Sequence, residues 1–358
     1  MTASNLHPLR IGVLGAAGIF RKKNWQAIHC SGNAAVAAVA TRDPARTQEF
    51  IAERQAAFPF AEPPTAHASY EALIADPAVE AIYVPLPTAL RKEWIVRAAN
   101  AGKHIISEKP AAPCADDLRE MLDACRANGV QFMDGVMFEH NPRLSALRAL
   151  LDDAEHIGPL RRITSAFSFL GTGDFQERNI RVSAQLEPTG CLGDLGWYCL
   201  RITLWAMRRQ RPLHATGRIL AAMADGTPTD FAGELHFADG TSAGFHCSFL
   251  AHSQQWVNLS GARGAVRVPD FVNPYSDNTV AWELNYEPVK KADSGIYLET
   301  ATTPESQETR LFRNFADQVR SGRINEEWIQ SAWETQLAMD ACLASARADG
   351  RIIPLPAD

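Results

Sequence analysis

Residues 9–18 have the sequence LRIGVLGAAG, and the architecture of the chain follows from them. The apolar run 9–14 predicts a buried strand, and the glycines at 15 and 18 predict a tight turn. Apolar residues then recur at helical spacing over 19–30. Strand, glycine turn and helix in this order are typical of a mononucleotide-binding unit, because free backbone N–H groups and the helix N-terminus face one anion.

The same alternation continues to residue 134. Strands are predicted at 35–41, 79–84, 103–107 and 130–134, and helices at 44–57, 69–74, 88–101 and 115–128. Proline at 44 suits the first turn of a helix, whereas Gly102 and Gly129 suit helix ends. This α/β pattern predicts an N-terminal Rossmann domain over 1–134, with a doubly wound parallel sheet.

The pattern changes after residue 141. One helix at 142–151 precedes β-rich stretches at 160–170, 213–223, 231–237, 242–250 and 256–260, and Asp239-Gly240 predicts a hairpin turn between two of them. Closely spaced strands predict a C-terminal α+β domain over 135–358 with a large, mainly antiparallel open sheet. Helices are predicted at 193–207 and 327–348, and the second is a candidate to pack back on the first domain.

Composition excludes several classes of protein. The 358 residues are 46% hydrophobic and 21% charged, with a net charge of −6 and no basic cluster, so a nucleic-acid partner is not expected. The N-terminus has no apolar leader and no apolar stretch approaches membrane-spanning length, so we expect a cytoplasmic protein without a membrane partner. Seven cysteines without a C-x-x-C pair predict neither a disulfide framework nor a metal site.

The glycine loop is the candidate phosphate site. It can be aligned as Gly12-x-x-Gly15-x-x-Gly18, or as a dinucleotide fingerprint in which only the first glycine survives and Ala17 takes the second place. A tight glycine turn without a ligand is the alternative. The candidate cofactor-binding residues here are Gly12, Gly15, Ala17, Gly18 and Ile19.

The end of the second predicted strand bears on the choice of cofactor. NAD enzymes usually place Asp or Glu there to bind the ribose 2′-hydroxyl, whereas a nearby Arg accommodates the 2′-phosphate of NADP. This chain has Thr41 and Arg42, with Asp43 one residue late. NADP(H) is therefore favoured and NAD(H) is the alternative. A plain structural interpretation makes Arg42 a solvated turn residue and Asp43 the N-cap of the next helix.

Lys109 stands between Glu108 and Pro110, directly after the strand predicted at 103–107. Ligands of parallel sheets bind at the carboxyl ends of the strands, so a cation held there by a following proline points at whatever the glycine loop binds. A solvated Glu-Lys pair on a turn is the alternative.

Several motifs together resemble the Gfo/Idh/MocA oxidoreductase family. They are GVLG at 12–15, YVPLPT at 83–88, AGKH at 101–104, EKP at 108–110 and GDLGWYC at 193–199. The last is similar to the branch with dimeric dihydrodiol dehydrogenases, NADP-dependent xylose dehydrogenases and glucose-fructose oxidoreductase. The resemblance spans nearly the whole chain, including the helix from Glu334 to Arg347.

The resemblance implies roles for individual residues. Pro85, Leu86 and Glu108 join the cofactor-binding candidates, Lys109 contacts nicotinamide ribose and substrate oxygen, and Pro110 holds a cis-like turn. Asp194 matches the family's aspartate, and Tyr198 stands where this branch has its tyrosine, the proton donor.

The spacing of Asp194 and Tyr198 supports that assignment, because positions four apart share one face of a helix. A neighbouring lysine ammonium would favour the phenolate of Tyr198 and ease proton exchange with an alcohol. As alternatives, Asp194 complements the helix dipole and Tyr198 is a core aromatic.

The chain departs from the family at three places. Arg91 stands where relatives tend to have His, Ala17 replaces a common glycine, and Pro188-Thr189-Gly190 replaces a glycine triplet. Asn179 and Arg181, on the loop before the helix at 193–207, are candidates for substrate hydroxyl recognition, with a solvated Arg181 as the alternative. We interpret His246 and His252 as structural.

These observations predict an NAD(P)-dependent dehydrogenase or reductase acting on CH-OH groups of a sugar-like or cyclic diol substrate. The alternatives are a dinucleotide- and sugar-binding sensor without turnover and an NAD-dependent glycosidase. An open sheet in the second domain makes a homodimer or higher homo-oligomer the expected assembly.

Overall fold

The computed structural model describes residues 7–275, 279–286, 295–302 and 305–356. The chain forms two compact units. The first comprises the residues up to Ala112 together with Asp116–His140 and Ser306–Ala332. The second comprises Pro113–Ala115, Asn141–Glu305 and the residues from Trp333 onward. Both units therefore contain segments that are distant in sequence.

The first unit is built on a six-stranded parallel sheet in the order β3-β2-β1-β4-β5-β6. This is the strand order of dinucleotide-binding Rossmann domains, and the predicted fold class is confirmed. The strands are β1 (Leu9–Leu14), β2 (Ala34–Ala40), β3 (Thr65–His67), β4 (Ala81–Val84), β5 (His104–Ser107) and β6 (Phe132–Asp134). The short β3, which follows two prolines, is not indicated by the sequence pattern.

Helices connect these strands close to the predicted bounds. They are α1 (Trp25–Ser31), which continues a π-helical turn at Phe20–Asn24, α2 (Pro44–Ala57), α3 (Tyr70–Ala75), α4 (Arg91–Asn100), which follows a 3-10 turn at Thr88–Leu90, and α5 (Ala115–Ala127). Asp43 caps α2 by accepting from the N–H groups of Ala45 and Arg46, as the structural interpretation of Asp43 predicted. Ser69 caps α3 in the same way through Ala72.

The second unit contains a nine-stranded sheet in the order β14-β13-β12-β11-β7-β10-β9-β8-β15. Its pairs are antiparallel except for β7 and β10, so the predicted large, mainly antiparallel sheet is confirmed. Gly240, with a φ of 83°, forms the predicted hairpin turn between β9 and β10. The strands are β7 (Leu160–Ser168), β8 (His214–Ala222), β9 (Pro228–His236), β10 (Ser242–Ser248), β11 (Gln254–Gly261), β12 (Gly264–Val268), β13 (Thr279–Tyr286), β14 (Gly295–Thr302) and β15 (Ile353–Pro354).

Helix α6 (Arg143–Leu151) precedes β7, and helices α7 (Gly173–Arg178) and α8 (Trp197–Ala206) lie between β7 and β8. A 3-10 turn at Ile180–Val182 and a π-helical turn at Leu192–Gly196 lie between α7 and α8. The helix predicted at 193–207 therefore exists, but it begins with a π turn instead of a regular α-helical one.

Two helices lie between β14 and β15 in sequence, α9 (Gln307–Arg320) and α10 (Glu326–Arg347). The amphipathic α9 buries Leu311, Phe312 and Phe315 in the core of the first unit. Phe312 meets Tyr83 of β4 edge to face, with ring centroids 5.7 Å apart. Only the first residues of α10, including Trp328, also belong to that unit. From the sequence we predicted α10 but not α9.

Candidate functional site

The glycine loop lies at the carboxyl end of β1. Gly15 has a φ of 96°, a conformation that favours glycine, and its N–H donates to Ala40 O at the end of β2 over 2.7 Å. Gly18 is exposed, and a Cβ added there would meet nothing within 4 Å. Gly12 has a different position inside β1, where a Cβ would lie 2.6 Å from Leu73 Cδ2, so its small size serves packing against α3.

The helix after this loop begins at Gly18. The first N–H groups of any helix have no acceptor within it, and here they belong to the exposed Gly18 and Ile19, the latter 39% exposed. Ala17 is half-buried, and its carbonyl accepts from Arg21 N. An open loop with a left-handed glycine and a helix N-terminus beside it fits the pyrophosphate of a dinucleotide.

Arg42 is exposed at the end of β2 and lies near Tyr70. Burial raises the pKa of the Tyr70 phenol, and the Arg42 guanidinium opposes that rise. The Tyr70 hydroxyl also approaches the glycine loop, 3.6 Å from a Cβ added at Gly15. Tyr70 thus lies near both Arg42 and the glycine loop, and no motif in the sequence pointed to it.

The hydroxyl of Thr41 is used locally. It donates to Asp43 O over 2.8 Å and lies 2.8 Å from Thr47 Oγ1. Thr41 therefore shapes the turn between β2 and α2, and a direct contact with the cofactor stays a prediction.

Pro85 and Leu86 continue from β4 and are buried. Leu86 Cδ2 would lie 3.4 Å from a Cβ at Gly15, so this loop borders the glycine loop. The structure therefore brings the predicted cofactor residues after β1, β2 and β4 to one edge of the Rossmann sheet.

Glu108, directly after β5, belongs to a hydrogen-bond network that reaches into the core. The Tyr83 hydroxyl donates to Glu108 Oε1 over 2.6 Å, and the Asn24 amide lies 2.6 Å from the Tyr83 oxygen and 3.4 Å from the same carboxylate oxygen. Burial, followed by the Glu108 charge, raises the pKa of Tyr83 well above its usual value. One carboxylate oxygen of Glu108 thus anchors the EKP turn to β4 and to the π-helical turn.

Lys109 follows on the same turn and is half-buried, and its peptide bond to Pro110 is cis, as the resemblance implied. The guanidinium of Arg91, at the start of α4, is buried behind this turn. It donates to the backbone carbonyls of Leu86 and Glu108. Arg91 is thus part of the structure of the site, a role that its place in the sequence did not indicate.

In the second unit, Asp194 lies in the π-helical turn at Leu192–Gly196. Its Oδ2 is 2.9 Å from Arg181 Nε in an ion pair. Asp194 raises the pKa of Arg181, burial opposes this, and Glu187 and Tyr198 add to the rise. Arg181, proposed from the sequence for hydroxyl recognition, is therefore surrounded by two carboxyl groups and a phenol.

Tyr198, at the second position of α8, is 5% exposed. Its ring packs edge to face on Phe167 of β7, with centroids 5.6 Å apart. Gly196 allows the helix to lie close to the sheet, since a Cβ there would be 3.2 Å from Cys247 Sγ of β10. The helix thus holds the phenol rigidly while Arg181 acts on it electrostatically.

The remaining candidates on the loop before α8 have local roles. The Asn179 side chain accepts from Arg181 N over 3.1 Å and caps the 3-10 turn, so it positions the residue that binds Asp194. Gly190 has a φ of 49°, and a Cβ there would lie 2.1 Å from Pro228 O. The altered sequence Pro188-Thr189-Gly190 thus keeps the one glycine that the close approach to β9 requires.

Within the described ranges, no three His, Cys, Asp or Glu side chains are grouped so as to hold a metal ion. None of the helices in these ranges is long and apolar enough to cross a bilayer. His246 pairs with Asp230 on the neighbouring strand, with 2.7 Å between Nε2 and Oδ1.

A six-stranded Rossmann sheet with a glycine loop after β1 is typical of the class of dinucleotide-binding proteins. Comparisons with known proteins agree. Residues 9–136 match the model of the oxidoreductase family with an NAD-binding Rossmann fold, and residues 144–267 match the Gfo/Idh/MocA C-terminal domain. The chain belongs to the Gfo/Idh/MocA oxidoreductase family, and the resemblance noted in the sequence is confirmed.

Three similar proteins illustrate this relationship. D-xylose 1-dehydrogenase (NADP(+)) 2 of Haloferax volcanii is 30% identical over 347 residues, 94% of this chain and 97% of the relative. Trans-1,2-dihydrobenzene-1,2-diol dehydrogenase of Bos taurus is 31% identical over 237 residues, 66% of each chain. A 3-ketoreductase from Actinomadura kijaniata, solved with NADP and TDP-benzene, has a TM-score of 0.82 at 23% identity, covering 95% of this chain and 98% of its own.

The network of Tyr83 predicts a pH-dependent contribution to stability. At neutral pH, Tyr83→Phe should lower the free energy of unfolding by about 1–3 kcal/mol, because Asn24 and Glu108 lose a buried partner. The folded-state pKa of Tyr83 is raised, so its stabilising effect is full below the unfolded pKa of about 10 and is lost as pH rises beyond it. The gap between wild type and variant should therefore shrink above about pH 10.

Urea unfolding from pH 7 to pH 11 measures this gap. Tyr275→Phe is the control, since Tyr275 is 73% exposed. A gap that stays constant over the whole pH range would contradict the assignment.

Proposed function

We propose that the protein is an NADP(H)-dependent dehydrogenase or reductase that moves hydride between nicotinamide C4 and a carbinol or carbonyl carbon of a sugar-like or cyclic diol substrate. The ion pair of Arg181 and Asp194 beside the phenol of Tyr198 carries this proposal. A phenol held next to a cation suits proton exchange with an alcohol. The names of the relatives, a xylose dehydrogenase and a dihydrodiol dehydrogenase, support the substrate class.

The proposed roles follow from the chemistry of each side chain. Tyr198 exchanges the proton of the substrate hydroxyl, and the Arg181 cation interacts with this phenol electrostatically. Asp194 fixes the guanidinium through the 2.9 Å ion pair and so orients the proton-transfer group. Lys109, at the end of β5, polarises the reacting oxygen. The nicotinamide, when bound, supplies the hydride chemistry.

We also propose that the cofactor contacts predicted from the sequence, Gly15, Gly18, Ile19, Arg42 and Leu86 among them, are made in this protein. Their common position at the carboxyl edge of the Rossmann sheet supports this. NADP(H) is the preferred cofactor, because Arg42 follows β2 and interacts electrostatically with Tyr70 at the start of α3.

The two alternative functions are less well supported. A sensor without turnover has no use for a phenol beside an ion pair, and the family model is that of oxidoreductases. An NAD-dependent glycosidase would retain its cofactor tightly, so release of bound NAD when the purified protein is denatured would identify it. A panel of aldoses, inositols and trans-diols, followed at the nicotinamide absorbance with NADP and with NAD, tests the proposal. No turnover with any member of the panel would favour the sensor over the dehydrogenase.

We propose a cofactor domain over 1–134 and a substrate and oligomerisation domain over 135–358. The proposed assembly is a cytoplasmic homodimer or higher homo-oligomer that forms through the C-terminal sheet. The face of this sheet opposite its buried core supports the proposal, because its side chains are only half-buried. They belong to neighbouring strands and include Thr164, Glu234, His246 and Asn258. The molar mass in solution, from light scattering, tests it.

Tyr198→Phe should lower kcat by about 10²- to 10⁴-fold, the usual contribution of a general acid or base, because phenylalanine cannot exchange a proton. The affinity for NADPH, measured by fluorescence titration, should stay within about twofold (~0.4 kcal/mol), since the proposed role of this hydroxyl is proton exchange and not cofactor binding. Tyr275→Phe at an exposed phenol is the matched control. An unchanged kcat would remove Tyr198 from the mechanism.

Arg42→Ala should raise KM for NADPH about tenfold or more while leaving KM for NADH nearly unchanged. Only NADPH carries the 2′-phosphate, and a hydrogen bond to a charged group is worth about 1.5–3 kcal/mol. Arg46→Ala, an exposed arginine on the next helix, is the control. Equal effects on both cofactors would contradict 2′-phosphate recognition by Arg42.

A further inference from the structure

Arg91 is a buried charge in the cofactor-binding unit. It begins α4, directly after the 3-10 turn at Thr88–Leu90, and is only 4% exposed. A guanidinium out of water is costly unless its donors are satisfied. Its position therefore requires partners that the surrounding loops supply.

Those partners are backbone carbonyls from two loops. Arg91 Nε donates to Leu86 O over 2.7 Å, after β4. One terminal nitrogen donates to Glu108 O over 2.5 Å and also to Pro110 O, and the other lies 3.5 Å from Lys109 O. A single guanidinium thus joins the Leu86 loop to three consecutive carbonyls of the EKP turn.

The planar guanidinium gives this contact a defined geometry. Its donors lie in one plane at fixed angles, so the carbonyls that they bind are fixed relative to each other. The three carbonyls of the EKP turn belong to the backbone that carries the Lys109 side chain. Arg91 therefore restrains the place from which that side chain projects, and it does so from the side of the Leu86 loop.

We propose that Arg91 is a positioning residue for Lys109, which holds the ammonium where the reaction requires it. The inference rests on the role proposed above for Lys109. It also gives a reason for the departure from the histidine that relatives tend to have. An imidazole offers two donors at most and changes charge near pH 6.5, whereas a guanidinium offers five and stays protonated.

A double-mutant cycle on the full-length enzyme tests the inference. Arg91→Lys keeps the charge but loses the planar set of donors, and it should lower kcat about tenfold or more, because small displacements of a reacting group are costly. In the Lys109→Ala background the same substitution should change kcat less than about twofold, since the positioned group is absent. Arg97→Lys is the matched control on the same helix, where Arg97 is half-exposed and paired with Glu93 and Glu71, and it should leave kcat unchanged.

The possible results separate the two proposals. If Lys109→Ala alone leaves kcat unchanged, the role of Lys109 fails and the inference about Arg91 fails with it. If Lys109→Ala is impaired but Arg91→Lys has the same effect in both backgrounds, Arg91 has a merely structural role and only the present inference is overturned. Activities are normalised to folded protein by circular dichroism.

Arg91→His supplies a second readout that a structural role would not move. The ratio of its kcat to that of wild type should rise as the pH falls through about 6.5, because the imidazolium has one more donor than the imidazole. This variant also replaces Arg91→Lys if the latter fails to fold. A ratio that does not change with pH would overturn the inference.

Discussion

The parallel pairing of β1 with both β2 and β4 is the constraint on which the nucleotide-binding unit depends. It places the ends of three strands at one edge, where the Gly15 N–H closes the loop on Ala40 O. Packing on the sheet leaves no room for a side chain at Gly12, where a Cβ would lie 2.6 Å from Leu73 Cδ2 and 2.9 Å from Val79 Cγ1. The predicted cofactor residues Gly15, Arg42 and Leu86 follow the ends of these strands, whereas Glu108 and Lys109 follow the end of β5.

Much of this arrangement could be predicted from the sequence because it repeats. Strand β1 and helix α2 have the predicted bounds, and Ser69 and Asp43 cap helices where their types indicated. Strand β3, three residues directly after Pro63 and Pro64, is too short to show a period, whereas the apolar residues of α9 do recur at helical spacing and could have indicated it. These elements form through contacts with partners far away in sequence.

The candidate site shows the same division. Lys109, Asp194 and Tyr198 could be selected because motifs fix their places, but their partners could not. Arg91 binds backbone carbonyls, which leave no trace in residue types, and a buried arginine is rare enough to be discounted in advance. Arg181 meets Asp194 only because the segment between α7 and α8 folds back in a 3-10 and a π turn. Single π-helical turns are frequent at functional sites. Here one lies between the glycine loop and α1, and another directly precedes α8.

The contribution of α9 to the first unit has a consequence for the order of events during synthesis. The apolar surface that receives Phe312 and Phe315 is made of residues that leave the ribosome well before α9, such as those of β1, β2 and β4. The helix that covers it begins only at Gln307. At translation rates of about 5–20 residues per second, this surface stays open for on the order of ten seconds while the second sheet is made. The nascent Rossmann unit is thus an unfinished core with an exposed apolar face until α9 has been translated.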